Sequence, residues 1–287
     1  MRVFLIAVPT WILIASLAWA GDAVPLRYHF EPGEKIRYRI TLQQTSQTNP
    51  EAKLDTGRTT SKTTVSVLFR LKETAGAWTT LEAAFDSPEV ESRLDSLPLS
   101  VFGTEHLTEV HLDLHMGPLG LRDEPTVSTT SRMDAATWTP VAGLVESLRG
   151  TIAQSLPVLP EEPQAVGGTW RVEGALPAGL PGLPPVRLQV ASDYRLAEVK
   201  AQGKEHLARL EENLDVSYAD VLMLSGVGQL GQLKGQGKVS YLFAVERGRL
   251  LSATAELTLR ADIAADPEEG LAGFALGVTL SWSTQLQ

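Results

Sequence analysis

Alternating apolar and polar side chains mark the C-terminal part of the chain as β structure. From Leu251 to Ala261 every second residue is apolar, and the residues between them are polar or charged. Residues 274–286 alternate in a similar way. Because successive side chains of a strand point to opposite faces, both patterns predict strands with one buried and one exposed face.

Two pairs of apolar segments are joined by short polar turns. Residues 239–245 lead through 246–249 into the strand that starts near Leu251, and residues 65–71 lead through 73–76 into 78–85. Two runs with strand periodicity on either side of a short turn favour an antiparallel hairpin. The sequence therefore predicts a mainly β fold with antiparallel pairing.

One segment follows a helical pattern instead. Thr139 and Pro140 fit an N-cap and a first helical position, and Pro157 fits a stop. We predict a helix over about residues 139–156, packed on the concave face of a large curved antiparallel sheet or half-barrel. Its apolar residues recur at steps of three and four: Val141, Leu144, Val145, Leu148, Ile152 and Leu156.

A proline-rich connection divides the chain. Residues 157–185 hold seven of the 17 prolines, which predicts loop or extended structure, although Gly168 to Val172 reads as a strand. We expect a single β domain over 21–287. The alternative is two β subdomains, 21–156 and 165–287.

The first twenty residues are typical of a secretory signal peptide. Arg2 supplies a positive charge, residues 4–17 are almost wholly apolar, and Ala18-Trp19-Ala20 fits a cleavage site. We predict cleavage after Ala20 and a periplasmic or extracellular mature protein without a transmembrane span; the alternative is an uncleaved anchor. Since the chain has no cysteine, its stability must come from its core rather than from disulfides.

The charge argues against nucleic-acid partners. The net charge is −9 and becomes −10 when Arg2 is removed with the signal peptide, and the acidic residues are scattered. Binding to phosphates needs a basic face, so we expect no nucleic-acid partner and weak attraction to anionic lipid headgroups.

Gly226, Gly228 and Gly231 have the spacing of a dinucleotide-binding loop. That site needs a helix that starts at the glycines and holds the pyrophosphate at its N-terminus. Here Gly235 and Gly237 follow within a few residues and disfavour a helix. The sequence therefore favours a glycine-rich turn or kinked strand, and we expect no cofactor.

His111, Asp113 and His115 alternate with apolar residues, so a strand would place all three on one face as weak candidates for metal ligands. Residues two apart stand about 7 Å apart along a strand, which is too far for a tight site without a bulge. A solvated strand face is the favoured interpretation, and we expect no metal.

Catalytic motifs are missing from the sequence. There is no cysteine nucleophile, no Gly-x-Ser-x-Gly elbow, no His-Glu-x-x-His motif and no phosphate-binding loop. The acidic pairs Glu211-Glu212 and Glu268-Glu269 fall in what read as strand ends and loops, where solvated charge is the ordinary explanation. We therefore expect a protein that is not an enzyme.

Three short motifs resemble an uncharacterised family of exported bacterial proteins. These are the aromatic and Pro-Gly-Glu segment 28–38, the Pro-Val-Leu-Pro segment 157–160 and the Val-Gly-Gly-Thr-Trp segment 166–170. The resemblance implies a similar β architecture but no activity. As a fold, a curved sheet with a helix on its concave face also resembles the half-barrels of bacterial lipoprotein carriers.

The leading functional hypothesis is a non-enzymatic exported protein that binds a lipid or other hydrophobic molecule in the groove between sheet and helix. Residues expected to line that groove are Val141, Leu144, Val145, Leu148 and Ile152. One alternative is a scaffold module that binds another envelope protein, and a second is a hydrolase with a dispersed site.

Overall fold

The computed structural model describes residues 23–49, 57–95, 97–99, 104–121, 123–130, 135–178, 186–218, 222–224, 228–264 and 273–287. The predicted signal peptide, 1–20, lies outside these residues. The first half contains β1 (Lys35–Thr48), β2 (Arg58–Ala75), β3 (Trp78–Leu94), β4 (Leu97–Leu99), a short 3-10 helix (Thr104–Glu109), β5 (Val110–Gly117), β6 (Gly120–Leu121), β7 (Thr126–Thr129) and helix α1 (Ala135–Ser155). The second half contains β8 (Thr169–Ala178), β9 (Val186–Gln202), β10 (Glu205–Tyr218), β11 (Leu222–Leu224), β12 (Gly228–Ala244), β13 (Arg249–Ala264) and β14 (Phe274–Leu286).

The strands form one large open sheet. The order along it is β6-β5-β3-β2-β1-β14-β13-β12-β10-β9-β8, with β4, β7 and β11 paired at the side of β3, β5 and β12. Every pair among the described strands is antiparallel. The predicted fold class, a large antiparallel sheet with one packed helix, is confirmed.

Alternation along the strands builds the core. In β13, Leu257, Leu259, Ala261 and Ile263 are buried on one face, and in β14 the same holds for residues that include Val278. Both predicted hairpins are present, as β2–β3 and β12–β13. The start of β13 departs from the simple pattern, since Leu250 is buried and Leu251 only half-buried. The reason is a bulge: the pairing with β12 shifts by one residue there.

Helix α1 packs its apolar stripe against the sheet. Val141, Val145, Leu148 and Ile152 are all buried. At its C-terminal end the hydroxyls of Ser155 and Thr284 lie 2.8 Å apart, which ties the helix to β14. The helix begins at Ala135, so the predicted start at Thr139 is wrong. Pro140 removes a single backbone donor, a cost that the buried stripe beyond it outweighs.

The segment that follows α1 is fixed by hydrogen bonds to the segment that precedes β1 and to β8. The Tyr28 hydroxyl donates to the Pro157 carbonyl over 3.1 Å, and the Trp170 indole N–H donates to the Val158 carbonyl over 2.8 Å. The predicted strand in the proline-rich connection is confirmed as β8, while residues 179–185 lie outside the described part. β1 pairs with β14, so strands from both halves belong to one sheet. The division into one or two domains stays a prediction.

Candidate functional site

A cavity of about 560 Å³ lies between the C-terminal end of α1 and the last two strands of the sheet. Helix α1, the segment after it, the loop after β6, and strands β8 and β9 all contribute to its walls. The residues around it are Leu121, Asp123, Glu124, Ala153, Gln154, Leu156, Val158, Val172, Glu173, Gly174, Ala175, Arg187, Val190, Ser192 and Tyr194. Four consecutive residues of β8 are among them, so the cavity runs along that strand.

The walls combine apolar surface with a few polar groups. Leu121, Leu156, Val158, Val172 and Val190 supply aliphatic side chains. The Trp170 ring stacks on Tyr194, with 5.2 Å between ring centroids. Because Trp170 also donates to the Val158 carbonyl, it fixes two of the cavity walls.

Charged residues cluster at one side of the cavity. Arg187 forms an ion pair with Glu124 at 2.7 Å, and Arg149 lies 3.8 Å from the same glutamate. Arg149 also pairs with Glu146, one turn earlier in α1, at 2.9 Å. Both arginines near the cavity therefore already have carboxylate partners.

Behind the polar wall lies a buried acid, Glu212, with 1% of its surface exposed. The Gln154 side-chain amide donates to Glu212 Oε1 over 2.9 Å, and the Tyr241 hydroxyl contacts Glu212 Oε2. Burial raises the pKa of Glu212, and hydrogen bonds from Ser192, Tyr241, Tyr194 and Gln154 partly oppose that shift. Three of these four partners also line the cavity.

The tyrosine between Glu212 and the helix has two acceptors within reach. The Tyr241 hydroxyl lies next to Glu212 and 3.0 Å from the Gln154 backbone carbonyl, yet it carries one proton. A protonated Glu212 carboxyl donates its proton to the Tyr241 oxygen. The Tyr241 hydroxyl is then free to donate to the Gln154 backbone carbonyl. The neutral acid thus satisfies the whole network, in agreement with its raised pKa.

Sequence reasoning placed Glu211 and Glu212 together in solvent, and for Glu212 this was wrong. Both acids lie within β10, where Leu210, Glu212 and Leu214 face the core and Glu211 faces outward. The signal that identifies Glu212 is therefore its parity with buried leucines two residues away on each side. Its partner Gln154 is 58 residues distant in sequence and has no comparable local signal.

The five residues predicted to line a groove lie on the stripe of α1 that faces the sheet. Val141, Val145, Leu148 and Ile152 are buried in the core, and Leu144 is half-buried against it. Ile152 borders a void of about 10 Å³, so packing at this point is tight. A role of these residues in ligand binding stays a prediction. The larger cavity lies beside them and is bordered by Ala153, Gln154 and Leu156.

The weak metal candidates lie on β5 with separate partners. His111 Nδ1 is 3.6 Å from Glu82, Asp113 accepts from Lys72 over 2.8 Å, and His115 Nδ1 is 3.9 Å from Asp123. Within the described residues, no cluster of three or more histidine or acidic side chains has the geometry to hold a metal ion.

The glycine-rich segment is extended where the structure describes it. Gly228 is the first residue of β12 and Gly231 lies within the strand, while residues 225–227 lie outside the described part. A side chain at Gly235 would meet the Thr258 carbonyl at 2.5 Å, and one at Gly237 would meet the Glu256 carbonyl at 2.8 Å. These two glycines allow close approach to β13.

Comparison with known proteins shows a similarity of fold to a solved structure. No protein-family model matches the sequence, and no curated protein matches it. The resemblance to a family of exported proteins therefore stays a prediction. A solved structure of lipovitellin, described by the words "lipid-protein interactions in lipovitellin", matches with a TM-score of 0.53 and 14% identity. The match covers 90% of this chain and 25% of the lipovitellin chain.

The fold is similar to part of lipovitellin. At 14% identity the likeness concerns the arrangement of the backbone and carries no side-chain role across. The chain spans about a quarter of the length of that protein. None of the helices in the described ranges is long and apolar enough to cross a membrane.

Proposed function

We propose that this is an exported, non-enzymatic protein that binds a lipid or another hydrophobic molecule in the cavity between α1 and strands β8 and β9. The observation that carries the proposal is the cavity itself. Its volume of about 560 Å³ is typical of small-molecule sites, and its walls combine aliphatic side chains with polar and charged groups.

Two further points support a lipid as the ligand. The lipovitellin structure with a similar fold is described in terms of lipid–protein interactions. In addition, Gln154, Ser192 and Tyr194 supply uncharged polar groups to the cavity wall, beside the charged residues at its border, and such groups can orient one head group beside an apolar chain. Export rests on the predicted signal peptide and places the function in the periplasm or outside the cell.

A matched pair of variants tests the proposal. Gly174 borders the cavity and has nothing within 4 Å of the position that a side chain would take, so Gly174→Phe fills the space without a clash. Gly143, on the exposed side of α1, is equally open and does not border the cavity, so Gly143→Phe is the control.

The measurement is titration of the mature chain with the uncharged fluorescent dye Nile red, with native mass spectrometry of the protein as purified. We expect saturable binding that Gly174→Phe weakens by about tenfold, or about 1.4 kcal/mol, and that Gly143→Phe leaves unchanged. Equal affinities in both variants, or no saturable binding to the wild type, would contradict the proposal.

One observation favours the scaffold alternative as a second candidate. The β3–β4 hairpin exposes Leu94, Leu97 and Leu99, and Leu97 has 69% of its surface in contact with solvent. Exposed apolar clusters are found at protein interfaces. Capture of one envelope protein by the wild type and its loss in Leu97→Ser would support this function; equal capture by both would argue against it.

A further inference from the structure

We infer that the cavity accepts amphiphiles whose head group donates hydrogen bonds and carries no negative charge, such as a hydroxyl or an amine, and discriminates against carboxylate and phosphate heads. The inference rests on the proposed function, because it names the class of ligand for the same site. It is carried by the charges around the cavity and by the hydrogen bonds of the cavity wall.

The charged residues that border the cavity are mostly acidic. Asp123, Glu124 and Glu173 outnumber the cation Arg187, and Arg171, outside the lining, pairs with Glu173 at 3.2 Å. The guanidinium of Arg187 lies 2.7 Å from Glu124, so that charge is already paired. An anionic head would therefore meet net negative charge, which is unfavourable even where solvent screens part of it.

The polar wall offers few donors to an anion. The Gln154 amide donates to Glu212 over 2.9 Å, and Ser192 and Tyr194 also form hydrogen bonds with this carboxyl group. A serine or tyrosine hydroxyl has one proton to donate, and its remaining capacity is the lone pairs of its oxygen. The Tyr194 oxygen already accepts from Ser192 and from the Val158 backbone, so a ligand hydroxyl or ammonium group would meet the Ser192 oxygen as its acceptor at this wall.

The buried acid occupies hydrogen-bond donors of the cavity wall. Glu212 is 1% exposed, and its hydrogen-bonding partners separate it from the cavity. A carboxylate or phosphate on the cavity side of those partners would have to compete with Glu212 for their donor protons. Arg149 does not compensate, because its guanidinium pairs with Glu146 at 2.9 Å.

Competition between matched amphiphiles tests the inference on the mature chain. Tetradecanoate, monotetradecanoylglycerol and tetradecylammonium share an acyl or alkyl chain of equal length and differ in the head. Each is used below its micelle concentration to displace Nile red near neutral pH. We expect the glycerol and ammonium compounds to displace the dye at concentrations about tenfold or more below that of the carboxylate.

A matched pair of substitutions tests the charge at the border of the cavity. Glu173→Lys should raise the affinity for tetradecanoate relative to the glycerol ester, whereas Glu162→Lys, an exposed site that does not border the cavity, should not. Preferential displacement by tetradecanoate from the wild type, or a ratio that Glu173→Lys leaves unchanged, would overturn the inference. Absence of any saturable dye binding would instead reject the proposed function.

Discussion

At the scale of single residues, Glu212 is the least expected feature of the core. A carboxyl group that is 1% exposed loses its hydration, and hydrogen bonds to neutral partners replace that hydration incompletely. This explains why burial is the largest cause of its raised pKa. Neighbouring Glu211 faces outward and pairs with Arg209, so two adjacent acids of one strand have opposite environments.

Glu212 predicts a pH dependence of folding stability. Its folded-state pKa lies above the ordinary value of 4.5, so the folded chain binds this proton more tightly than the unfolded chain. The stabilisation that comes from this tighter proton binding is fully present below pH 4.5. It is lost as the pH rises through the folded-state pKa. Glu212→Gln cannot ionise, and we expect its melting temperature to fall less than that of the wild type from acidic to neutral pH.

Thermal melts of the wild type, Glu212→Gln and the control Glu211→Gln, recorded at several pH values, check this expectation. The control should follow the wild type, because the Glu211 side chain is 41% exposed and no comparable burial acts on it. Parallel pH profiles for the wild type and Glu212→Gln would contradict the assignment of a raised pKa.

Two glycines with different surroundings give a second residue-scale prediction. Gly235→Ala places a Cβ 2.5 Å from the backbone oxygen of Thr258, and the strand pair must separate to admit it. We expect a loss of about 1–3 kcal/mol in the free energy of unfolding by urea. Gly174→Ala, where the space is open, should stay within about 0.5 kcal/mol of the wild type. Equal losses would mean that steric contact with β13 is not the cause.

At the scale of elements, helix α1 depends on one stripe of apolar residues. Leu148 is fully buried on that stripe. Leu148→Asp would place an unpaired charge against the sheet, and we expect a loss of about 3–5 kcal/mol in thermal or chemical unfolding. Gly143→Ala, on the exposed side of the helix, should instead raise the free energy of unfolding by about 0.5–1 kcal/mol, because glycine is a poor helix former. Unchanged melting of Leu148→Asp would remove the helix from the core.

Periodicity predicted several of these elements because each depends on neighbours in sequence, whereas the long strands β1, β9 and β10 were not predicted. The strands β13 and β14, both hairpins and the stripe of α1 follow from spacing alone. The half-buried state of Leu251 did not, since the bulge that causes it arises from pairing with β12. The helix start was missed because propensity at Thr139 and Pro140 is a local signal that packing overrides.

The cavity was less predictable than the elements around it. Its polar wall combines Gln154 from α1 with Ser192 and Tyr194 from β9, and their common partner Glu212 comes from β10. Which strand lies next to which is a property of the whole sheet. The sequence placed a groove along the stripe of α1, which stays a prediction, and gave no signal for the cavity beside it, which Ala153, Gln154 and Leu156 border.

At the scale of the whole molecule, β14 joins the two halves of the sheet, since it pairs with β1 on one side and β13 on the other. Thr279 lies exposed near its middle. Thr279→Pro removes a ladder donor in a central strand and should lower the free energy of unfolding by about 2–3 kcal/mol. Thr279→Val keeps the backbone N–H and should change the free energy of unfolding little.

The same variant tests the number of folding units. If the chain is one cooperative domain, circular dichroism and tryptophan fluorescence of Thr279→Pro should report a single transition at a lower temperature. Tryptophans at 78 in β3 and 170 in β8 report on opposite halves. Two separate transitions would favour the alternative of two subdomains, 21–156 and 165–287.

Among the strands that the structure describes, β8 pairs on one side only, with β9, and its other edge has a consequence for behaviour at high concentration. An unpaired strand edge is a template on which a second molecule can add its own strand, and this is how fibrils begin. Here Arg171 forms ion pairs with Glu173 at 3.2 Å and Asp193 at 3.0 Å, and Pro177 has no backbone N–H to offer. Stacking of another copy would have to strip water from these charges. These charges and the proline thereby oppose aggregation at this edge, in the same strand that supplies residues to the cavity wall.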